Sequence, residues 1–124
     1  MTAIRALVSV VDDDESIRES LPDLLKELGF AVRAFSSAED FLASDCLDQT
    51  ECLILDVAMP GMSGPELQLE LINRQVRIPI VFITANREET TLAQLVERGA
   101  TTCLLKPFSE AELVEGLNAA LGAG

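Results

Sequence analysis

Residues 52–64 read CLILDVAMPGMSG: four consecutive apolar residues, Cys52–Leu55, then an acid, Asp56, then a segment broken by Pro60, Gly61 and Gly64. A short run that is apolar at every position, rather than at alternate ones, suits a strand covered on both faces, as in a parallel α/β sheet. The same pattern recurs on either side. Ala6–Val11 (ALVSVV) stops at Asp12-Asp13-Asp14, Ile78–Ile83 (IPIVFI) stops at Thr84, and Thr101–Leu105 (TTCLL) stops at Lys106-Pro107. Ala31–Phe35 (AVRAF) is a weaker, alternating strand candidate.

Helical patterns fill the intervals. From Glu15 to Leu28, the residues Ile17, Leu21, Leu24, Leu25 and Leu28 fall on one stripe, with Gly29 as the stop. Pro22 inside this stretch removes one hydrogen bond and predicts a kink. A short helix is expected over Ala38–Ala43, capped by Ser37 or Ser36. Pro65 suits the first turn of the next helix, whose apolar face is Leu67, Leu71 and Ile72. Glu88 to Arg98 reads as a helix ended by Gly99. Glu110 to Leu121 follows Ser109, an N-cap with Glu112 as its capping-box partner. Five rounds of strand then helix, with short connections, predict one doubly wound α/β sandwich three layers deep, with right-handed crossovers. The ordered core is expected over about 5–121 of residues 1–124, with 122–124 a tail or the start of a linker.

Composition narrows the function. The chain has 124 residues, 48% of them hydrophobic, enough for a core that needs no disulfide or metal to hold it. Its net charge of −12 argues against direct nucleic-acid binding and permits divalent cations or basic partner surfaces. There is no histidine, which removes imidazole bases and His-ligated metal sites. Cys46, Cys52 and Cys103 have no CxxC spacing and read as free thiols in a reducing compartment. No leader-like segment or membrane-spanning run is visible, so a cytoplasmic location is expected.

In an open parallel sheet, ligands bind beyond the carboxyl ends of the strands. Those ends deliver Asp12 and Asp13, Asp56, Thr84 and Lys106. Taken singly, each has an ordinary explanation: an acid after a strand is often an N-cap, as Asp14 can be for the first helix, and Thr84 or Lys106-Pro107 can be plain loop residues. Together they bring three carboxylates, a hydroxyl and an ammonium to one edge. Clustered carboxylates repel one another unless a cation joins them, and hard oxygen ligands suit Mg²⁺ or Mn²⁺. A carboxylate not used up by the metal can act as a nucleophile toward phosphorus, giving an aspartyl phosphate. Asp56 is the candidate, with Lys106 and Thr84 to hold the phosphoryl oxygens.

The segments VDDDESIR from Val11, LILDVAMPGMSG from Leu53, ITA from Ile83 and LLKPF from Leu104 resemble the response-regulator receiver domains of two-component systems, over essentially the whole chain. That resemblance implies a flavodoxin-like (βα)5 fold with strand order 2-1-3-4-5. It implies Asp56 as phospho-acceptor, Asp12, Asp13, Asp56 and the backbone carbonyl of Ala58 as Mg²⁺ ligands, Thr84 as switch hydroxyl, and a cis peptide before Pro107. A sensor histidine kinase is the implied phosphodonor. GFAVRAFSSAEDFL, from Gly29, looks most like receivers linked to helix-turn-helix regulators of the nitrogen-fixation type. It points to a DNA-binding output domain outside this chain and to a phosphorylation-dependent homodimer through the face of the fourth helix, fifth strand and fifth helix. Such a domain assists its own phosphorylation and dephosphorylation without being a turnover enzyme. Cys103 departs from the pattern: the family usually has Tyr or Phe there.

Other readings fit less well. A phosphatase of the haloacid-dehalogenase type needs a second acid two residues after the nucleophile, where this chain has Ala58, and a cap domain. A flavin carrier needs a Ser/Thr/Gly-rich loop after the first strand, where Asp12-Asp13-Asp14-Glu15 would repel a phosphate. A phosphate-blind interaction module would be expected to lack the acceptor or one of the paired acids, and all are present.

Overall fold

The computed structural model describes the backbone of residues 6–85 and 89–122, and the side chains of 89–92 lie outside that description. The elements are β1 (Leu7–Val11), α1 (Glu15–Glu27), β2 (Ala31–Phe35), α2 (Ala38–Ala43), β3 (Cys52–Asp56), α3 (Gly64–Asn73), β4 (Ile80–Thr84), α4 (Glu89–Glu97), β5 (Thr102–Leu105) and α5 (Glu110–Ala120). The strands form one parallel sheet in the order β2-β1-β3-β4-β5. The expected start of the fourth helix at Glu88 lies outside the described residues.

The sequence pattern follows from position in the sheet. β3 and β4 are central and buried at all five positions. β2 is an edge strand with Arg33 and Ala34 exposed, which is why its apolar signal is thin. Side chains alternate between two apolar clusters. Val8, Val10, Ile54 and Val81 face Leu21 and Leu25 of α1 and Leu113 and Leu117 of α5. Leu53, Leu55 and Phe82 face Phe41 of α2, Leu67 and Leu71 of α3, and Leu95 of α4. Each fully buried side chain of this size contributes roughly 1.5–3 kcal/mol.

Strand ends differ slightly from the sequence reading. β4 begins at Ile80, not Ile78, because Pro79 has no N–H for a ladder bond; its carbonyl still accepts from Leu53 N at 2.9 Å. β3 and β4 each run one residue further than their apolar segments, so Asp56 and Thr84 are the last residues of strands, fixed by sheet pairing.

The helices start on side-chain caps. Asp14 accepts from Ser16 N, Ser37 from Asp40 N, and Ser63 and Ser109 each form a complete capping box with Glu66 and Glu112. Pro22 lies within α1 without ending it. Gly29, at φ +100°, ends α1 in a conformation other residues adopt only with strain. One polar pair sits in the core. Thr50 Oγ1 donates to Cys46 O at 2.7 Å, so its single proton is used and Ser9 Oγ, 2.7 Å away, is the donor to Thr50.

Candidate functional site

The sheet order places the carboxyl ends of β1, β3, β4 and β5 side by side. Asp12 and Asp13 follow β1, Asp56 ends β3, Thr84 ends β4 and Lys106 follows β5. Carboxylate oxygens of Asp12, Asp13 and Asp56 all lie within 4.8 Å of one another. Asp12 and Asp56 are buried at 0% and 6% exposure, whereas Asp13 is exposed. Lys106 Nζ donates to Asp12 Oδ2 at 3.0 Å and stands 3.7 Å from Asp56 Oδ1.

Local structure holds each acid in place. Asp12 Oδ1 accepts from Asp14 N at 2.9 Å, while Asp12 N donates to Phe35 O at 3.2 Å. Arg18 Nη1 reaches back from α1 to donate to Asp12 O at 2.9 Å. Beyond Asp56, Val57 N donates to Ile83 O and Gly64 N to Val57 O, both at 3.0 Å. Any side chain at Gly64 would run into the Asp56 carbonyl oxygen. Gly61 has φ +73°, and a Cβ there would meet Glu39 Oε2 at 2.7 Å. That same oxygen accepts from Met62 N at 3.1 Å. The loop from Asp56 to α3, which carries Ala58, is therefore pinned by β4, by Glu39 and by the Ser63–Glu66 cap.

Among the described residues the cluster carries more negative than positive charge. Burial, then the charge of Asp12, pushes the Asp56 carboxyl up to about 7, and Lys106 offsets only part of this. Burial alone would lower the Lys106 ammonium, but its hydrogen bond to Asp12 and the charges of Asp12, Asp56 and Asp14 raise it overall. Asp14 is held low by the Ser16 hydroxyl and backbone N–H that it caps. Among the described residues three carboxylates share one ammonium, and a divalent cation with oxygen ligands would supply further positive charge. The donor set fits Mg²⁺ or Mn²⁺.

The expected residues are brought together with few exceptions. Asp12, Asp13, Asp56 and Lys106 form one cluster. Thr84, 4% exposed, is the strand-end residue next to β5, and its carbonyl accepts from Lys106 N at 2.8 Å. Ala58 is exposed, two positions past Asp56. The Lys106–Pro107 peptide is cis. Cys103 lies deeper along β5, opposite Phe82, half-buried against the α2–α3–α4 cluster, and burial raises its thiol. The sequence reading missed Arg18, Glu39, Gly64 and the Ser63 cap. Ser63-x-x-Glu66 carries the same signature as Ser109-x-x-Glu112 and was readable. Arg18 and Glu39 bind backbone groups, which leave no mark in a sequence.

The family model described as the response regulator receiver domain matches residues 8–118. Nodulation protein W of Bradyrhizobium diazoefficiens is 42% identical over 116 residues, covering 94% of this chain and 51% of that protein. The transcriptional regulatory protein TdiR of Thauera aromatica is 41% identical over 120 residues, covering 97% and 53%. The chain thus spans about half the length of the curated relatives it matches. Among solved structures, the response regulator StyR superposes with a TM-score of 0.88 at 42% identity, covering 97% of this chain and 61% of that one. The structure titled FixJ-N gives a TM-score of 0.86 at 33% identity, covering 97% and 96%.

Proposed function

The chain belongs to the response regulator receiver domain family, and from that premise we propose that Asp56 is the residue that accepts the phosphoryl group. The observation that supports this reading is the position of Asp56. Its carboxylate ends a central strand, lies within 4.8 Å of two other acids, and faces the Lys106 ammonium 3.7 Å away.

An Asp56 carboxylate oxygen attacks the phosphorus of a phosphohistidine on a sensor histidine kinase. A P–O bond forms as the P–N bond breaks, and the imidazole leaves with the electron pair of that bond. Asp12, Asp13, Asp56 and the Ala58 carbonyl would hold Mg²⁺, or Mn²⁺ in its place, which when bound neutralises charge on the phosphoryl oxygens and on the acids. Lys106, already held between Asp12 and Asp56, offers its ammonium to a phosphoryl oxygen. Thr84 supplies a hydroxyl donor at the neighbouring strand end. The domain helps its own phosphorylation and its hydrolytic reversal, and it acts as a switch rather than as a turnover enzyme. The likeness to the transcriptional regulatory protein TdiR supports a transcriptional output through a DNA-binding domain outside these residues. The switching surface is the face of α4, β5 and α5, which also pairs two phosphorylated copies.

Incubation with acetyl phosphate and Mg²⁺, followed by intact-mass spectrometry, tests the assignment. One added phosphoryl group is expected, absent in Asp56→Asn and absent in EDTA. Undiminished labelling of the Asp56→Asn variant would refute it.

A further inference from the structure

The turn between β1 and α1 carries two neighbouring acids, and each of its successive peptides is held by a different group. Asp12 N donates to Phe35 O of β2 at 3.2 Å, Asp12 O accepts from Arg18 Nη1 at 2.9 Å, and Asp14 N donates to Asp12 Oδ1 at 2.9 Å. The sheet and the Asp12 side chain supply the outer bonds. The middle bond comes from α1, through a side chain outside the turn. A peptide group is planar, so fixing the Asp12 carbonyl also fixes the direction in which Asp13 leaves it.

The two acids are not held alike. The Asp12 carboxylate is buried and accepts from Asp14 N and Lys106 Nζ. The Asp13 carboxylate is exposed, and among the described residues no N–H or ammonium donates to it. Its approach to Asp12 and Asp56, within 4.8 Å, is therefore set by its backbone. Arg18 is also placed against local preference. Glu15 in the first turn and Lys26 in the last turn suit the charges at the ends of α1. Arg18, half-buried, sends a guanidinium back past the positive end of that helix, and among the described residues it joins no ion pair. The helix dipole disfavours this placement; the hydrogen bond to Asp12 O is what fixes it.

We infer that Arg18 is a positioning residue for the divalent cation: by fixing the peptide between Asp12 and Asp13, it keeps the Asp13 carboxylate turned toward Asp12 and Asp56. The inference rests on the metal reading of the acid cluster and not on which acid takes the phosphoryl group. Arg18 offers no ligand atom of its own. Its charge alone would act in the opposite sense, because a guanidinium near the acids repels a divalent cation. The two roles therefore differ in sign. If Arg18 were only a charge, removing it would tighten Mg²⁺ binding. As a positioning residue it strengthens binding, and removing it loosens the site, as loss of a group that orients a ligand does.

The test is Mg²⁺ affinity, measured by isothermal titration calorimetry on wild type, Arg18→Met and Arg18→Lys. Methionine keeps the apolar stem and loses both the charge and the donors. Lysine keeps the charge, but its ammonium falls short of the guanidinium's reach. Arg18→Met should raise the Mg²⁺ Kd about tenfold, with Arg18→Lys between it and wild type. In NMR spectra of the ¹⁵N-labelled chain without metal, Arg18→Met should move the amides of Asp13 and Asp14 and leave those of β3 in place. Urea titration checks that each variant is folded. A Kd at or below the wild-type value in folded Arg18→Met, or in Arg18→Lys should the methionine variant not fold, would overturn the inference while leaving the metal site standing. Wild type that binds no Mg²⁺ would overturn the metal reading of the cluster and this inference with it.

Discussion

Asp56 is an acid that folding places at a disadvantage until something positive arrives. Its carboxyl is raised to about 7 from the ordinary 3.8, so the folded state holds its proton more tightly than the unfolded chain does. The stability this contributes is complete below the unfolded value and is lost as pH rises through about 7. Without metal, wild type should therefore lose on the order of 2 kcal/mol relative to Asp56→Asn between about pH 4 and pH 8 in urea titrations. Mg²⁺ should close that gap by binding the ionised form. A gap that stays constant with pH would show that Asp56 titrates normally. Cys103 raises a second question at this scale. Its side chain is too small to act as the large lever that an aromatic residue provides in the family. The switch signal is then expected to run through Thr84 and the loop after it. Thr84→Ala should abolish the chemical-shift response of α4 to beryllofluoride, and Cys103→Ala should leave it nearly intact. Loss of the response in Cys103→Ala, with the mimic still bound, would make the cysteine a working switch residue.

At the level of elements, the acid-bearing loops are held by helix starts. Ser63 caps α3 and closes the loop that begins at Asp56. Ser63→Ala should cost about 1 kcal/mol of stability in denaturant titrations. Because that loop carries Ala58, the same change should weaken Mg²⁺ binding several-fold by calorimetry. Equal metal affinity in the variant would show that the cap acts on α3 alone. Most elements were legible because their sequences are locally consistent: β3 and β4 are apolar at nearly every position, and α1 and α5 carry both an N-cap and an apolar stripe. Boundaries were less legible where chemistry and hydrophobicity disagree. Ile78 is apolar yet outside β4, because Pro79 interrupts the ladder; Asp56 is polar yet inside β3, because pairing with Ile83 continues to the strand end.

For the whole molecule, alternation of strands and helices was readable from the residues, whereas the order β2-β1-β3-β4-β5 came from family resemblance. No single strand's sequence states its neighbour. The acid cluster was readable because each member sits at an element end, and strand ends converge in any parallel sheet. The contacts of Arg18 and Glu39 were not readable, since each depends on how two layers are placed. Oligomeric state belongs to this scale as well. Beryllofluoride with Mg²⁺ should shift the chain from monomer to dimer in sedimentation velocity, and Asp56→Asn should remain a monomer. Identical profiles with and without the mimic would count against pairing through α4, β5 and α5.

The ion pair between Lys106 and Asp12 joins residues 94 positions apart. During synthesis, Asp12 leaves the ribosome first and Asp56 after it, but the ammonium that faces them arrives only after β5. A chain that stops before Lys106 holds the acids without the ammonium that faces them. On the proposed reading, competence to receive a signal is acquired only once β5 has been made, and fragments that stop short of it stay mute to the kinase.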